Sequence, residues 1–263
     1  MASDATAHLA KAHGLDVVFT AVDAALKDEF RKGFYPDRPA SWIDRLTDES
    51  DDVVADIASC LAQLNSGRRD FAYPRHDEAV YELLHEVVPQ RGIKRGADIG
   101  CATGCFPAMQ LSAGVEHCTV FEVRQVDAND PRVDVRVQDL TYAEDLEPEF
   151  DLITCLSTIE HIGLGRYGDR IDPWGDVRMA ANLRRLLKPG GLLLLSFPVG
   201  NGCVMFNMHR VYSPERSRAL FGDLRLVRWS PGRSRLGYLR HRAEVVLRKR
   251  GASSQPIYVL QKS

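Results

Sequence analysis

Gly96-Ala97-Asp98-Ile99-Gly100-Cys101-Ala102-Thr103-Gly104 decides the fold. A short apolar lead-in carrying one acid runs into a glycine-rich turn, and Cys105-Phe-Pro-Ala-Met-Gln-Leu-Ser112 continues with helical character. Strand, tight turn and helix N-terminus together bring backbone N–H groups close to a nucleotide-like cofactor. Gly100 and Gly104 remove the Cβ atoms that would block that approach, and Ala102 stands where a third glycine often sits. Such a turn also occurs where no ligand binds, so the order of the elements downstream has to decide.

Four short apolar runs follow, separated by turn residues and helical patterns: Cys118–Val123, Val133–Asp139, Phe150–Ser157 and Gly191–Pro198. They predict a largely parallel sheet covered on both faces. Ligands of an open α/β sheet bind beyond the carboxyl ends of its strands, so Glu122, Asp139 and the Gly100 turn are expected to line one crevice. A carboxylate there can accept from both hydroxyls of a ribose, and a second from the exocyclic amine of adenine. The competing reading of either acid, stronger for Asp139, is a surface residue capping the next turn.

The pattern resembles the class I S-adenosylmethionine-dependent methyltransferases. The likeness rests on Asp98–Gly104, Glu122, Gln138-Asp139-Leu140, Phe150–Ser157, Glu160-His161 and Leu183-Arg-Arg-Leu-Leu-Lys-Pro-Gly-Gly191, and it covers the chain from about Asp77 onward. In the last of these an amphipathic helix is expected to end at Lys188-Pro189, with the double glycine turning into the fifth strand. His161-Ile-Gly-Leu-Gly-Arg-Tyr-Gly-Asp169 followed by Ile171-Asp-Pro173 resembles a methyltransferase-like family that carries only a domain-of-unknown-function label. The resemblance implies a Rossmann-like, seven-stranded α/β sheet and S-adenosyl-L-methionine as cofactor, held by Asp98, Gly100, Ala102, Gly104, Glu122, Asp139, Leu140 and Ser157.

Length and composition agree. With 263 residues, 44% of them hydrophobic, the chain can bury one large core plus an accessory segment, and a net charge of −2 gives no general argument for nucleic acid. No apolar run is long enough for a bilayer and the N-terminus lacks a secretory pattern, so a cytoplasmic protein without membrane contact is expected. Six cysteines, at 60, 101, 105, 118, 155 and 203, form no zinc-type doublets and read as reduced core thiols, with a redox pair at Cys101 and Cys105 the lesser alternative.

Residues 1–76 differ in texture from the expected core at 77–263. Helical spacing runs from Ala5 to Lys32 and again from Trp42 to Leu64, joined by the irregular Phe34–Pro39. This N-terminal helical extension reads as a lid over an acceptor pocket or, equally, as an extension that covers the sheet or forms a homodimer contact. Phe71-Ala-Tyr-Pro-Arg75 then leads into the first core helix; in this fold such a segment approaches the methionine end of the cofactor. Leu224–Trp229 and Pro256–Gln261 are expected as the sixth and seventh strands. The arginine-rich run between them, Arg233 to Arg250, reads as a solvated face, with docking of the acidic stretch from Asp44 to Asp56 or holding of a phosphorylated acceptor as its alternatives.

The sulfonium of S-adenosylmethionine is an activated donor, so the protein has to align an acceptor and remove its proton. His161, just past the fourth strand, and His209, in Phe206-Asn-Met-His-Arg210, are the candidate bases, each with a purely positioning role as its alternative. Arg166, Tyr167 and Asp169, in a polar insertion, and Arg210 are candidates for holding a polar, hydroxyl-bearing small molecule. Asp169, Asp172 and Asp176 invite a divalent metal, but metal-dependent relatives place an acid where this chain has Ser157 and Thr158, so no metal is expected. The acceptor expectation is a sugar or glycosylated metabolite from natural-product biosynthesis, methylated on oxygen, with an aromatic or amine metabolite next. A nicotinamide dehydrogenase is disfavoured because Tyr258 and Lys262 lie on a strand. A nucleic-acid methyltransferase is disfavoured because Leu156-Ser-Thr-Ile159 lacks a Pro-Pro-aromatic platform. A non-catalytic partner of the same fold is the remaining alternative.

Overall fold

The computed structural model describes residues 24–34, 41–44, 56–101, 105–231 and 253–263. In chain order the elements are α1 (Ala24–Phe34), β1 (Ser41–Asp44), α2 (Ile57–Asn65), α3 (Pro74–Arg91), β2 (Arg95–Ile99), α4 (Cys105–Ser112), β3 (His117–Glu122) and β4 (Val133–Val137). A 3₁₀ turn over Leu140–Tyr142 leads to β5 (Phe150–Leu156), α5 (Gly175–Leu186), β6 (Leu187–Ser196), β7 (Val199–Gly200), β8 (Cys203–Phe206) and β9 (His209–Val211). The chain closes with α6 (Pro214–Phe221), β10 (Arg225–Ser230), β11 (Ser253–Ser254) and β12 (Ile257–Gln261).

Local signals set the helix ends. Pro74 starts α3, Asp77 in its first turn accepts from the Tyr73 N–H, and Gly92 ends it in the left-handed conformation. Val80, Leu83, Leu84, Val87 and Val88 repeat at helical spacing and are buried as one stripe. Asp56 caps α2 through the Ser59 N–H.

Seven strands form one sheet in the order β10-β12-β6-β5-β2-β3-β4, parallel from β6 to β4, with β12 antiparallel to both neighbours. Side-chain alternation builds the layers on its two faces. Leu193 and Leu195 of β6 join Ile153, Leu183 and Phe197 on one face, while Leu192 and Leu194 join Leu152, Val120, Met109 and Leu84 on the other. Strand order runs outward from β2 through β3 to β4, then returns to β5 and β6 on the other side. The crevice of such a sheet opens at the carboxyl ends of β2 and β5.

Two expectations need correction. The helix before the fifth strand stops at Leu186, and Lys188-Pro-Gly-Gly191 already belongs to β6, where the Lys188 ammonium lies 2.7 Å from Asp151. The helical pattern from Trp42 to Leu64 splits: Ser41–Asp44 is a strand, Ile57–Asn65 a helix, and 45–55 lie outside the described residues. That strand, β1, pairs in parallel with β8, which pairs with β9 in a small second sheet that sequence spacing did not announce. The early part of the Ala5–Lys32 pattern and the arginine-rich run, Arg233 to Arg250, lie outside the described residues.

The N-terminal elements share the core of the rest. Phe30 of α1 is fully buried and meets Phe206 edge to face at 5.7 Å, and Ile57, Leu61 and Leu64 of α2 pack with α3 and α4. The six cysteines are free thiols. The structure brings Cys105 to Cys60 rather than to Cys101, and the hydrogen bond from Cys105 lowers the Cys60 thiol to about 7.

Candidate functional site

Gly100 follows β2 at φ +76°, and a Cβ there would meet Thr158 Cγ2 at 2.6 Å. Both the positive φ and the close approach therefore require glycine. Thr158 in turn donates to the Ile99 carbonyl at 2.8 Å, so the turns after β2 and β5 lock together. Ser157, also in the left-handed region at φ 56°, receives a hydrogen bond from the Gln255 amide. His76, at the start of α3, is 2.9 Å from Ser196 Oγ at the carboxyl end of β6, which pins the segment after Phe71–Arg75 to the sheet rim.

Beside this double turn lies a cleft of about 650 Å³, open mouth included. The ends of β2 and β3 supply Ile99, Gly100, Phe121 and Glu122; the next turns supply Arg124, Gln138, Asp139 and Leu140. Ser157, Thr158, His161, Tyr167 and Asp169 close the other wall. Gly100, Glu122, Asp139, Leu140 and Ser157 are thus brought together as expected positions of one crevice. Ala102 and Gly104 lie outside the described residues.

Asp98 sits beneath the cleft floor, almost wholly buried. Thr154 donates to its Oδ1, while Oδ2 has no hydrogen-bond partner among the described residues. Burial pushes its carboxyl up to about 7 against the Thr154 bond, with the charge of Glu122 adding to the rise. Asp139 caps the 3₁₀ turn, its Oδ1 accepting from the Thr141 N–H at 2.9 Å, so the capping role is present alongside its place on the cleft wall.

Glu122, at the end of β3, is gripped on both oxygens. Oε1 accepts from the Val123 N–H at 2.9 Å, the Arg124 N–H at 3.3 Å and Arg124 Nε at 3.1 Å; Oε2 accepts from Arg124 Nη2 at 2.9 Å. Sequence reading missed Arg124. The available signal was its spacing: two residues beyond Glu122, in the bend just past β3, its side chain is near enough to fold back on that carboxylate.

His161 lines the cleft with its tautomer fixed. Its Nδ1 lies 2.6 Å from the Met208 carbonyl, which can only accept, so Nδ1 carries the proton and Nε2 offers a lone pair. Burial lowers its pKa to about 4, the Met208 bond opposing and the charges of His209 and Arg210 assisting. Glu160 Oε1 is 3.9 Å from Nε2, and burial pushes that carboxyl up to about 8. Near neutral pH the pair is an uncharged imidazole beside a protonated acid. His209 stands behind it, ring to ring at 6.1 Å, and is not among the cleft-lining residues.

The insertion after His161 is folded on its own acids. Asp169 accepts from the Gly163 N–H at 2.7 Å and the Tyr167 N–H at 3.3 Å, so its carboxylate collars the loop. Asp172 accepts from the Trp174 N–H, the Tyr142 hydroxyl and Arg178. Asp176 accepts from Arg216 and the Tyr212 hydroxyl. Among the described residues no group of three potential ligands is placed to hold a metal. Tyr167 faces the cleft, with Arg166 5.2 Å from its ring centre. Arg210 corrects its assignment: fully buried, it donates to the Ile162 carbonyl and lies 3.8 Å from Asp176, behind the loop rather than on the acceptor side.

The profile of a family described as "Caenorhabditis protein of unknown function, DUF268" matches residues 94–251. The chain belongs to the DUF268 family. This DUF268 protein is also 30% identical over 133 residues to a ubiquinone biosynthesis O-methyltransferase of Alkalilimnicola ehrlichii, a match over 43% of the chain and 49% of that relative. A protein of the same description from Pseudomonas entomophila is 25% identical, over 45% of the chain and 55% of the relative. The chain thus spans about half the length of these curated relatives.

Among solved structures, a Leishmania major SAM-dependent methyltransferase of the DUF858 family superposes with a TM-score of 0.53 at 14% identity, over 78% of this chain and 82% of that one. The [4+2]-cyclase SpnF superposes at 0.50 and 17% identity, over 80% and 97%. The 1,6-didemethyltoxoflavin-N1-methyltransferase of Burkholderia thailandensis, solved with S-adenosylhomocysteine, does so at 0.50 and 16%, over 79% and 87%. The fold is that of the class I methyltransferases. Since it carries a cyclase as well as methyltransferases, the likeness speaks for fold and leaves activity to the site. Among the described residues no helix is long and apolar enough to cross a membrane.

Proposed function

We propose that this DUF268 protein is an S-adenosyl-L-methionine-dependent methyltransferase acting on a hydroxyl of a small polar acceptor. The observation that carries the reading is Glu122: a buried carboxylate at the carboxyl end of β3, beside a turn in which only glycine fits. Its two oxygens suit a ribose diol, and Asp139 and Leu140 would flank the adenine. Asp98, with one unpartnered buried oxygen, supports the turn from below. The bound cofactor supplies an activated methyl group. Gly100, Thr158 and Ser157 shape the wall against which it would lie.

His161 is the base in this reading. With Nδ1 committed to Met208, only Nε2 can take the acceptor proton, and His209 positions rather than accepts. Tyr167 and Arg166 hold the acceptor, Asp169 acting through the loop. A sugar or glycosylated metabolite fits this polar wall; the two O-methyltransferase relatives agree with oxygen as the target. The N-terminal segment, through Phe30 against Phe206, covers the back of the acceptor side.

S-adenosylhomocysteine titration tests the cofactor, and no binding would end the reading. Methyl transfer from labelled S-adenosylmethionine to panels of polyols, glycosides and phenols tests the acceptor. With an acceptor in hand, His161→Gln is expected to lower the single-turnover rate by roughly 10²–10⁴-fold with cofactor affinity preserved, and His209→Gln by less than tenfold. Because the imidazole is already neutral, the rate should be level in pH above about 5. Two equally mild variants would leave alignment alone to carry catalysis.

A further inference from the structure

Two thiols meet beside the glycine-rich turn. Cys105 is the first residue of α4, and the sequence leaves only four residues between it and Gly100. Cys60 lies on α2, whose Ile57, Leu61 and Leu64 share a core cluster with Ala108, Met109 and Leu111 of α4, and both cysteines pack against that cluster. A hydrogen bond from the Cys105 thiol to the Cys60 sulfur joins them. Of the six free thiols these two are half-buried, whereas Cys101, Cys118, Cys155 and Cys203 are buried. Access and contact therefore coincide at one pair, which the methyl-transfer reading does not use.

We propose that Cys60 and Cys105 are a reversible oxidation site: a peroxide turns the pair into a disulfide, which draws the first residue of α4 toward α2 and distorts the cofactor turn. The consequence for the cofactor rests on the reading of that turn given above. Cys60 is the attacking sulfur, because the Cys105 bond lowers its thiol to about 7 against burial and the charge of Asp56, whereas Cys60, burial and the charges of Asp77 and Asp98 hold the Cys105 thiol up. The Cys60 thiolate displaces hydroxide from the O–O bond and becomes a sulfenic acid. The Cys105 sulfur then attacks Cys60, the S–O bond breaks, and water leaves with the Cys105 proton. Two thiols give up two electrons and the peroxide becomes two waters. A covalent bond holds two sulfurs closer than a hydrogen bond does, so Cys105 has to move. The Gly100 end cannot follow, since Thr158 locks it to the turn after β5. The pull therefore falls on the turn.

Treatment with hydrogen peroxide, followed by peptide mapping by mass spectrometry and calorimetric titration with S-adenosylhomocysteine, tests this. The wild type should gain a disulfide joining Cys60 to Cys105 and bind S-adenosylhomocysteine roughly fivefold or more weakly than the reduced protein, and dithiothreitol should reverse both. Cys105→Ser should stop at a Cys60 sulfenic acid that dimedone labels. Cys60→Ser should keep its S-adenosylhomocysteine affinity through the same treatment, which separates the effect from methionine oxidation. The inference is overturned if no disulfide joins Cys60 to Cys105 in the wild type, or if the disulfide-bonded protein binds S-adenosylhomocysteine as tightly as the reduced one. Failure of the cofactor reading looks different: the disulfide forms and reverses, and neither redox state binds S-adenosylhomocysteine.

Discussion

Two buried acids of this protein are each held by arginine, and they do opposite things. Glu122 is bridged by Arg124, a neighbour two residues away on an open cleft wall. Asp176 is bridged by Arg216 at 3.2 Å and approached by Arg210 at 3.8 Å, from elements 34 and more residues downstream, and its own side chain has no surface left to solvent. The first pair lines a cleft that a ligand can reach. In the second, the charge is sealed beneath Tyr212 and the 163–173 loop, so its partners cannot be replaced and it ties α5 to β9 and α6. The chemistry of a pair does not tell a site from a staple; access does.

The largest expected effect lies at the sealed pair. Asp176→Ala leaves two buried guanidinium groups without their carboxylate and should cost about 3–5 kcal/mol of stability in urea unfolding. A loss below 1 kcal/mol would erase the contrast. Next is Glu122→Ala, expected to weaken S-adenosylhomocysteine by on the order of 1–3 kcal/mol while the unfolding midpoint moves little. A stability loss matching that of Asp176→Ala would make Glu122 a staple too.

The smallest effect sharpens the role of burial without an arginine to pair with. Glu160 has its folded pKa raised to about 8 from an ordinary 4.5, so the folded state holds a proton that the unfolded chain releases. Its stability contribution is present below about pH 4.5 and is lost as pH rises toward 8. Relative to Glu160→Gln, the wild type should therefore lose about 1 kcal/mol between pH 5 and 6 by denaturation. Parallel pH profiles for the two proteins would show that the carboxyl is not held protonated.

The large sheet was legible because its signals are local. Gly100 and the Lys188-Pro-Gly-Gly191 run punctuate the strands, and the Pro-Gly-Gly before Leu192–Leu195 marks that short apolar run as a buried strand. Glu122 followed from its place at a strand end. What failed was long-range. Ser41–Asp44 is a strand only because β8, some 160 residues later, offers it an edge, and nothing nearby overrides the helical spacing that continues past it. Arg210 reads as a polar loop residue until Asp176 is seen behind it. Arg124 was passed over because a charged residue after a strand is usually solvated, and only the geometry shows its fork turned back on Glu122.

The place of β12 has a consequence for how the chain assembles. It lies between β6 and β10, hydrogen-bonding both, yet it comes after both in sequence. During synthesis β10 has no neighbour to pair with until β12 has emerged, and the Gln255 amide reaches Ser157 at the same late moment. One edge of the sheet, and one brace of the turn beneath the cleft, thus close last, so a nascent chain can hold its glycine turn in place while its seventh strand is still being made.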